Sequence, residues 1–145
     1  MVRLLYENSV THRGYLIIPF VGVSIAGEEI YSYALLSELG HRGRFHKTTN
    51  PSENFSGRIE EIIKIAQAHL VQHLEIENDT DYFNRRYTYR NNLIIVLRQG
   101  RKIFYDHYPP GDLTNIAAPK IFESESDCLT WIQQGLDLHH QPSGL

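Results

Sequence analysis

The residues with the clearest chemical character lie in a basic, aromatic segment between Asn84 and Tyr105. This segment holds six Lys or Arg residues and no Asp or Glu, whereas the whole chain has 14 Lys plus Arg against 17 Asp plus Glu and a net charge of −3. Arginine binds phosphate through a planar fork, and aromatic rings stack on unpaired bases. The candidate nucleic-acid-binding residues are therefore Arg85, Arg86, Tyr87, Tyr89, Arg90, Arg98, Arg101 and Lys102.

The side-chain alternation of this segment supports a second interpretation. If residues 86–98 form one strand, the arginines occupy both faces, and Tyr87 and Tyr89 share the face of Leu93. The tyrosines would then belong to the core, and the arginines would protect an exposed sheet edge from aggregation. We therefore favour a charged surface hairpin, with nucleic acid and an acidic protein partner as the alternatives.

Two predicted hairpin turns carry opposite charges. The first ends on Glu28 and Glu29, and the second on Arg101 and Lys102. Turn tips are often charged for solubility alone. Opposite charges at equivalent tips would also be complementary if two copies met head to tail, or if the halves met within one chain. We expect self-association or a protein partner.

Among the eight histidines, His69 and His73 most resemble a metal-binding pair. They lie four positions apart in a predicted helix, so they share one face. A metal ion needs a further ligand, and His41 and His46 could approach His73 only through the fold. We predict half-buried histidines beside an apolar stripe, no metal site and no cofactor.

Cys128 is the only cysteine, so the chain cannot form an internal disulfide. It lies near the start of a predicted helix, where the helix dipole would lower the pKa of its thiol. It also lies on the apolar stripe of that helix, so we predict a buried structural residue. Trp131, beside the same stripe, is predicted in the core or at its edge. No sequence pattern assembles a nucleophile with a base, and no catalytic residue is assigned.

An internal repeat organises the elements that must position these residues. Residues 11–18 read Thr-His-Arg-Gly-Tyr-Leu-Ile-Ile, and residues 88–95 read Thr-Tyr-Arg-Asn-Asn-Leu-Ile-Ile, with five of eight positions identical. Residues 27–31 and 100–104 share Gly, Ile and an aromatic residue, and Phe45 and Phe122 each precede a predicted helix. This self-similarity indicates a duplication, although β-hairpins also converge on the same residue types.

Each half is predicted as β-β-β-α. In the first half the strands are residues 15–21, 30–36 and 44–48. The helix that follows is capped by Asn50, or begins a turn later near Ser56, and ends near Glu75. In the second half the strands are residues 86–98, 102–108 and 120–123. A capping box at Ser124 then opens a helix to about Leu138.

We therefore predict an α+β fold of two similar β-β-β-α halves, with antiparallel sheets and one helix per half packed on one face. The first expectation is a single continuous sheet of about six strands. Two three-stranded sheets packed through their helices are the alternative. The halves comprise residues 1–77 and 78–138 and pack as one unit, and residues 139–145 form a frayed tail.

This order of elements, with a basic strand and a capped helix, resembles two kinds of module. These are small bacterial modules of the HicB-antitoxin kind and folds similar to double-stranded-RNA-binding domains. The resemblance lies in the order of the elements, and no functional residue is carried over from either. It implies a nucleic-acid-binding or antitoxin-like regulator as one functional expectation.

Composition limits the class of protein. With 41% hydrophobic and 21% charged residues, the chain is neither disordered nor a coiled coil. The longest uncharged run, residues 15–27, is too short to span a bilayer. The first residues lack the apolar stretch of a signal peptide. We expect a cytoplasmic protein that does not associate with membranes.

Three functions follow from these features. The leading prediction is a non-enzymatic interaction module that acts through its surface, as a dimer or as a subunit of an assembly. The alternative is a nucleic-acid-binding or antitoxin-like regulator that uses residues 85–105. The third is a small enzyme with its site between the halves, which a pocket lined by His69, His73 and His107 would support.

Overall fold

A computed structural model describes residues 2–73 and 82–139 of the chain. Both halves have the same order of elements, with three strands followed by a helix. The first half contains β1 (Val10–His12), β2 (Tyr15–Ile25), β3 (Glu28–Ser37) and α1 (Ile59–His73). The second half contains β4 (Arg86–Tyr89), β5 (Asn92–Gln99), β6 (Lys102–Tyr108) and α2 (Glu125–His139).

Each half forms its own three-stranded antiparallel sheet, in the orders β1-β2-β3 and β4-β5-β6. The predicted α+β fold of two β-β-β-α halves is confirmed. The first expectation of one continuous sheet is wrong. The central strands carry apolar residues on both faces, so both faces of each sheet must be buried. Helices on one face alone would leave the apolar residues of the other face exposed to solvent.

The two sheets pack face to face, and each helix covers the outer face of its own sheet. Leu16 and Ile18 of β2 meet Leu93 and Ile95 of β5 in a core that both halves share. The isoleucine between each pair points the opposite way and packs toward the helix of its own half. The alternative of two three-stranded sheets is therefore correct in the number of sheets. The sheets pack through their inner faces, however, and not through their helices.

Two-residue turns join the first two strands of each half. Arg13 and Gly14 have φ values of 50° and 80°, and Arg90 and Asn91 have values of 47° and 63°. Positive φ at both central residues defines the type I′ turn, whose twist matches that of the flanking strands. Residues 86–98 are consequently two strands joined by a turn, and the predicted single strand is wrong.

The repeat extends to the segments that lead into the helices. Ser56 and Phe122 each form one antiparallel bridge to the last strand of their sheet, with Tyr31 and Ile103 respectively. Each helix begins three residues after its bridge. Phe122 therefore corresponds to Ser56, and the expected match between Phe45 and Phe122 is wrong.

The predicted third strands at residues 44–48 and 120–123 are absent from the described chain. Phe45 and Lys47 have positive φ values of 67° and 59°, which fold this segment into turns. Residues 120–123 contribute only the bridge at Phe122. The sheets are completed instead by β1 and β4, which precede the central strands.

The loop before α1 is held by Asn50, which does not cap the helix. Its side-chain Nδ2 donates to Ser32 Oγ at 3.0 Å and to the Asn54 carbonyl at 2.9 Å. These bonds fix the loop against β3. The alternative start near Ser56 is confirmed, because α1 begins at Ile59.

The capping prediction for α2 is confirmed. The hydroxyl of Ser124 accepts a hydrogen bond from the backbone N–H of Asp127 at 3.0 Å. The helix ends at His139, one residue beyond the expected end. The predicted end of α1 near Glu75, the boundary at residues 77 and 78, and the tail from residue 140 lie outside the described residues.

Within residues 2–73 and 82–139, neither helix has the length and apolar character needed to cross a lipid bilayer.

Candidate functional site

Arg86, one of the candidate nucleic-acid contacts, is engaged inside the molecule. Its Nε and one Nη donate to the hydroxyl and carbonyl of Ser9 at 3.1 and 3.0 Å, and its other Nη donates to the carbonyl of Phe83 at 3.0 Å. Ser9 belongs to the first half. The guanidinium therefore ties the two halves together.

Tyr87 and Tyr89 point toward α2 and do not belong to the core. The Tyr87 hydroxyl donates to Glu125 at 2.9 Å, and the Tyr89 hydroxyl donates to Asp137 at 2.7 Å. These carboxylates raise the pKa of both phenols. Tyr87 is 39% exposed. The expectation of core tyrosines failed because the turn at residues 90–91 changes their register against β5.

Arg90 reaches the same carboxylate as Tyr89, with 2.7 Å between its Nε and Asp137 Oδ1. Arg90 is exposed, and so are four more of the predicted basic residues. None of the four forms an ion pair with another described residue. They are Arg85, Arg98, Arg101 and Lys102.

Two of these arginines flank a groove of about 940 Å³ beside the hairpin of β5 and β6. Leu97 and Phe104 are cross-strand partners and are only half-buried there. Arg85 and Arg98 line the same groove. The arrangement offers apolar contact with positive charge at its sides, and no acidic residue lies among its lining. We call it the basic groove.

The β2–β3 hairpin extends well beyond β1, the third strand of its sheet, which pairs only with residues 15–17. Residues 22–29 of the hairpin are all exposed. Val23 and Ile25 are 48% and 60% exposed. Val23 pairs with Ile30, and Ile25 pairs with Glu28, so the three apolar side chains share one face. We call residues 21–31 the hairpin arm. Its only charged residues are acidic, Glu28 and Glu29.

The two hairpin tips carry the predicted opposite charges. The first hairpin turns at Ala26 and Gly27 and bears the two glutamates, while the second turns at Gly100 and bears Arg101 and Lys102. No ion pair joins these two tips among the described residues. Intrachain pairing, one of the two expected arrangements, is therefore not formed.

His69 and His73 lie on one face of α1, as expected, with ring centroids 4.3 Å apart. The ring of Phe45 contacts both, and Arg44 stacks over Phe45 at 4.8 Å. Burial, and to a lesser extent the charge of His73, lowers the pKa of His69. The described residues contain no group of three or more His, Cys, Asp or Glu side chains that could hold a metal ion.

Cys128 is fully buried, and burial raises the pKa of its thiol to about 11. A buried, protonated thiol is a poor nucleophile, which agrees with the structural role predicted for it. Trp131 is 41% exposed and packs on the ring of Phe122 at 5.7 Å. It therefore lies at the edge of the core, one of the two expected places.

A cleft of about 620 Å³ lies between the halves, but the histidines expected there do not line it. His69 is on α1, outside the first sheet, and His107 faces α2, outside the second. The cleft is lined instead by Asp106, which sequence reasoning missed, and by His41 and His46, which it considered only as possible metal ligands. The repeat could have identified Asp106, because it replaces an apolar residue of the first half.

No protein-family model, curated protein or solved structure matches this chain.

Proposed function

We propose that this protein is a non-enzymatic interaction module that associates with copies of itself. The hairpin arm of one copy occupies the basic groove of another. The observation that carries this proposal is the opposite character of two exposed features, an acidic arm with an apolar face and a basic groove with an apolar floor. A cytoplasmic location is part of the proposal, because the sole cysteine is a buried free thiol.

Charge supports the pairing. Residues 21–33 contain two acidic residues and no basic one, whereas residues 84–105 contain six basic residues and no acidic one. Complementary potentials guide association and disfavour like pairs, so arm against arm is repelled and arm against groove is attracted. Surface attraction of this kind is screened at a distance of about 8 Å in physiological salt.

Apolar contact supports it as well. Val23, Ile25 and Ile30 share a face that no described residue covers fully, and Leu97 and Phe104 are half-buried in the groove. Burial of such surface is the main favourable term in protein association. If two copies exchange arms reciprocally the product is a closed dimer, and if they dock in one direction it is a longer assembly.

The experiment is analytical ultracentrifugation of the full chain with charge reversals. Glu28→Lys with Glu29→Lys is expected to shift the protein toward monomer, and so is Arg85→Glu with Arg98→Glu, because these two arginines line the basic groove. The four changes together are expected to restore association, because the charges are then exchanged. Glu53→Lys with Glu123→Lys is the matched control, since both residues are exposed and neither forms an ion pair with another described residue.

Two outcomes would contradict self-association through these surfaces. One is a wild-type chain that stays monomeric at low salt over the whole concentration range. The other is a pair of charge-reversed variants that associate as the wild type does.

Nucleic-acid binding is the second candidate, and one observation favours it. The basic groove combines Arg85 and Arg98 with the rings of Tyr82 and Phe104, and stacking beside arginine is how unpaired bases are held. RNA binding by the wild type and by an alanine variant of the groove decides between the two. A short single-stranded RNA that binds the wild type with steep salt dependence, and loses binding on Arg85→Ala with Arg98→Ala, would favour this candidate.

A further inference from the structure

The cleft between the halves brings polar groups of opposite charge together around a half-apolar space. Its volume of about 620 Å³ is in the usual range for small-molecule sites. One wall belongs to the first half and carries His46 and Lys47. The other wall belongs to the second half and carries Tyr82, Asp106 and Asn115.

Asp106 is held in a fixed position on the second wall. The hydroxyl of Tyr82 donates to its Oδ2, and the side chain of Asn115 donates to its Oδ1, both at 2.9 Å. Each carboxylate oxygen can accept more than one hydrogen bond, so the group can still receive a ligand. Within residues 2–73 and 82–139, no cationic side chain pairs with it.

The internal repeat shows that this carboxylate is a departure from the pattern of the fold. Ile18 faces Ala34 in the first sheet, and the equivalent Ile95 faces Asp106 in the second. A carboxylate without a cationic partner at the junction of two sheets stabilises the fold less than the methyl group of Ala34 does at the equivalent position. Tyr82 lies eight residues before the type I′ turn of the second half, and Leu5 holds the equivalent position in the first half. The carboxylate and its donor therefore stand at these positions in the second half only.

The first wall can receive an anionic group. The backbone N–H of Ser37 donates to Nδ1 of His46 at 3.0 Å, so the hydrogen of the neutral imidazole lies on Nε2. Burial lowers the pKa of His46 and thus favours this neutral form. Its Nε2–H is a hydrogen-bond donor, and the neighbouring Lys47 adds a positive charge.

The loop that carries His46 is held in an unfavourable backbone conformation. Phe45 and Lys47, on either side of it, have φ values of 67° and 59°. Gly43 approaches Ser37 so closely that a Cβ there would lie 1.9 Å from the Ser37 hydroxyl. Strain of this kind persists where the surroundings enforce it and is concentrated at functional sites.

We propose that this cleft binds a small zwitterion of the amino-acid class, with its ammonium group on Asp106 and its acidic group on the wall of His46 and Lys47. Both charges of such a ligand are satisfied at once, whereas a simple anion would be repelled by Asp106 and a simple cation by Lys47. Leu36 and Phe83 of the shared core border the same space and offer contact to an apolar side chain.

The test is titration calorimetry of the full chain with the standard α-amino acids, each compared with its N-acetyl form and its decarboxylated amine. One or more amino acids are expected to bind, and both singly charged analogues to bind more weakly. Asp106→Asn is expected to weaken binding by about tenfold or more, the usual effect of a charge-assisted hydrogen bond. Asp127→Asn, an exposed residue of α2, is the matched control.

Lys47→Met separates the two ends of the ligand. It keeps an unbranched side chain that is one atom shorter and removes the charge, so the amino acid should lose its advantage over the matching amine. A cooperative unfolding transition for each variant shows that the fold is intact. The proposal is overturned if no amino acid binds, or if Asp106→Asn binds as well as the wild type does. The Glu28→Lys, Glu29→Lys chain should still bind, which keeps this result independent of self-association.

Discussion

At the scale of single residues, the second half carries polar pairs where the first half is apolar or aromatic. Asn92 and His107 stand at the positions of Tyr15 and Leu35. Their side chains form a buried hydrogen bond of 2.9 Å between His107 Nε2 and Asn92 Oδ1. A buried polar side chain is tolerated when it has a hydrogen-bond partner, and here each side chain is the partner of the other. This pair therefore makes the fold sensitive to the protonation of His107.

We predict that His107 makes the protein less stable in mild acid. It is 8% exposed, and burial lowers its pKa below the ordinary value of 6.5. Below pH 6.5 the unfolded chain binds a proton at His107 more readily than the native state does. The free energy of unfolding is therefore highest above pH 6.5 and falls as the pH drops toward the lower native pKa. His107→Gln keeps a donor for Asn92 and should reduce the slope by up to about 1.4 kcal/mol per pH unit.

The measurement is the free energy of unfolding by urea at a series of pH values. Some acid sensitivity should remain in the variant, because burial also lowers the pKa of His12, His46 and His69. His139→Gln, at an exposed position, controls for the loss of one imidazole. An unchanged slope in His107→Gln would show that this histidine does not titrate on unfolding.

At the scale of elements, the two type I′ turns determine which side chains face which layer. A turn that is one residue longer would reverse every side chain of the strand that follows. Both turns begin with Arg, and their second positions are Gly14 and Asn91, two residue types that accept positive φ. The turns therefore set the register that places Tyr87 and Tyr89 against α2.

We predict that Gly14→Ala destabilises the protein by about 1–2 kcal/mol, the usual cost of a side chain in the left-handed region. The residue has a φ of 80°. Asn91→Gly, at the equivalent position with a φ of 63°, should leave stability within about 1 kcal/mol of the wild type. Thermal and urea unfolding measure both. Equal effects of the two substitutions would contradict the equivalence of the turns.

At the scale of the whole molecule, neither half has a complete core of its own. Each inner sheet face is covered only by the other half, through the cluster that contains Leu16, Ile18, Leu93 and Ile95. A domain with one shared core unfolds as one unit. The halves should therefore lose their structure together.

We predict that a cavity in the first half exposes the cysteine of the second. Ile18→Ala should destabilise the chain by about 2–5 kcal/mol. It should raise the rate of Cys128 labelling by a thiol reagent by the equivalent factor, because Cys128 is fully buried and labels only on opening. Val71→Ala, at an exposed position of α1, is the control. Unchanged labelling in Ile18→Ala would mean that the second half unfolds independently.

The number and kind of elements could be predicted from local signals. The Leu-Ile-Ile runs indicated two central strands, the glycines marked hairpins, and the Ser124 box marked the start of α2. The expected strand at residues 44–48 is absent for a tertiary reason. Its residues suit a strand, but positive φ at Phe45 and Lys47 is imposed by the packing of the loop against β3.

Less of the candidate sites could be predicted from the sequence. The charges at the two hairpin tips were visible, because charge can be read directly from the chain. The groove beside Arg85 depends on how residues 82–85 pack beside the hairpin of β5 and β6, and the cleft beside Asp106 depends on the space left between the halves. Such distances arise from non-local packing, which no short pattern encodes.

The amino-acid order alone determined that this chain is an α+β unit of two similar halves with oppositely charged hairpins, since periodicity, turn residues and charge are local properties. Only the tertiary structure decided that the sheets face each other, that Arg86 turns inward, and that Asp106 and His46 line one cleft. The physical reason is that burial of apolar surface is non-directional. It requires that both faces of each sheet be covered, and the shapes of all the elements together select which cover is used.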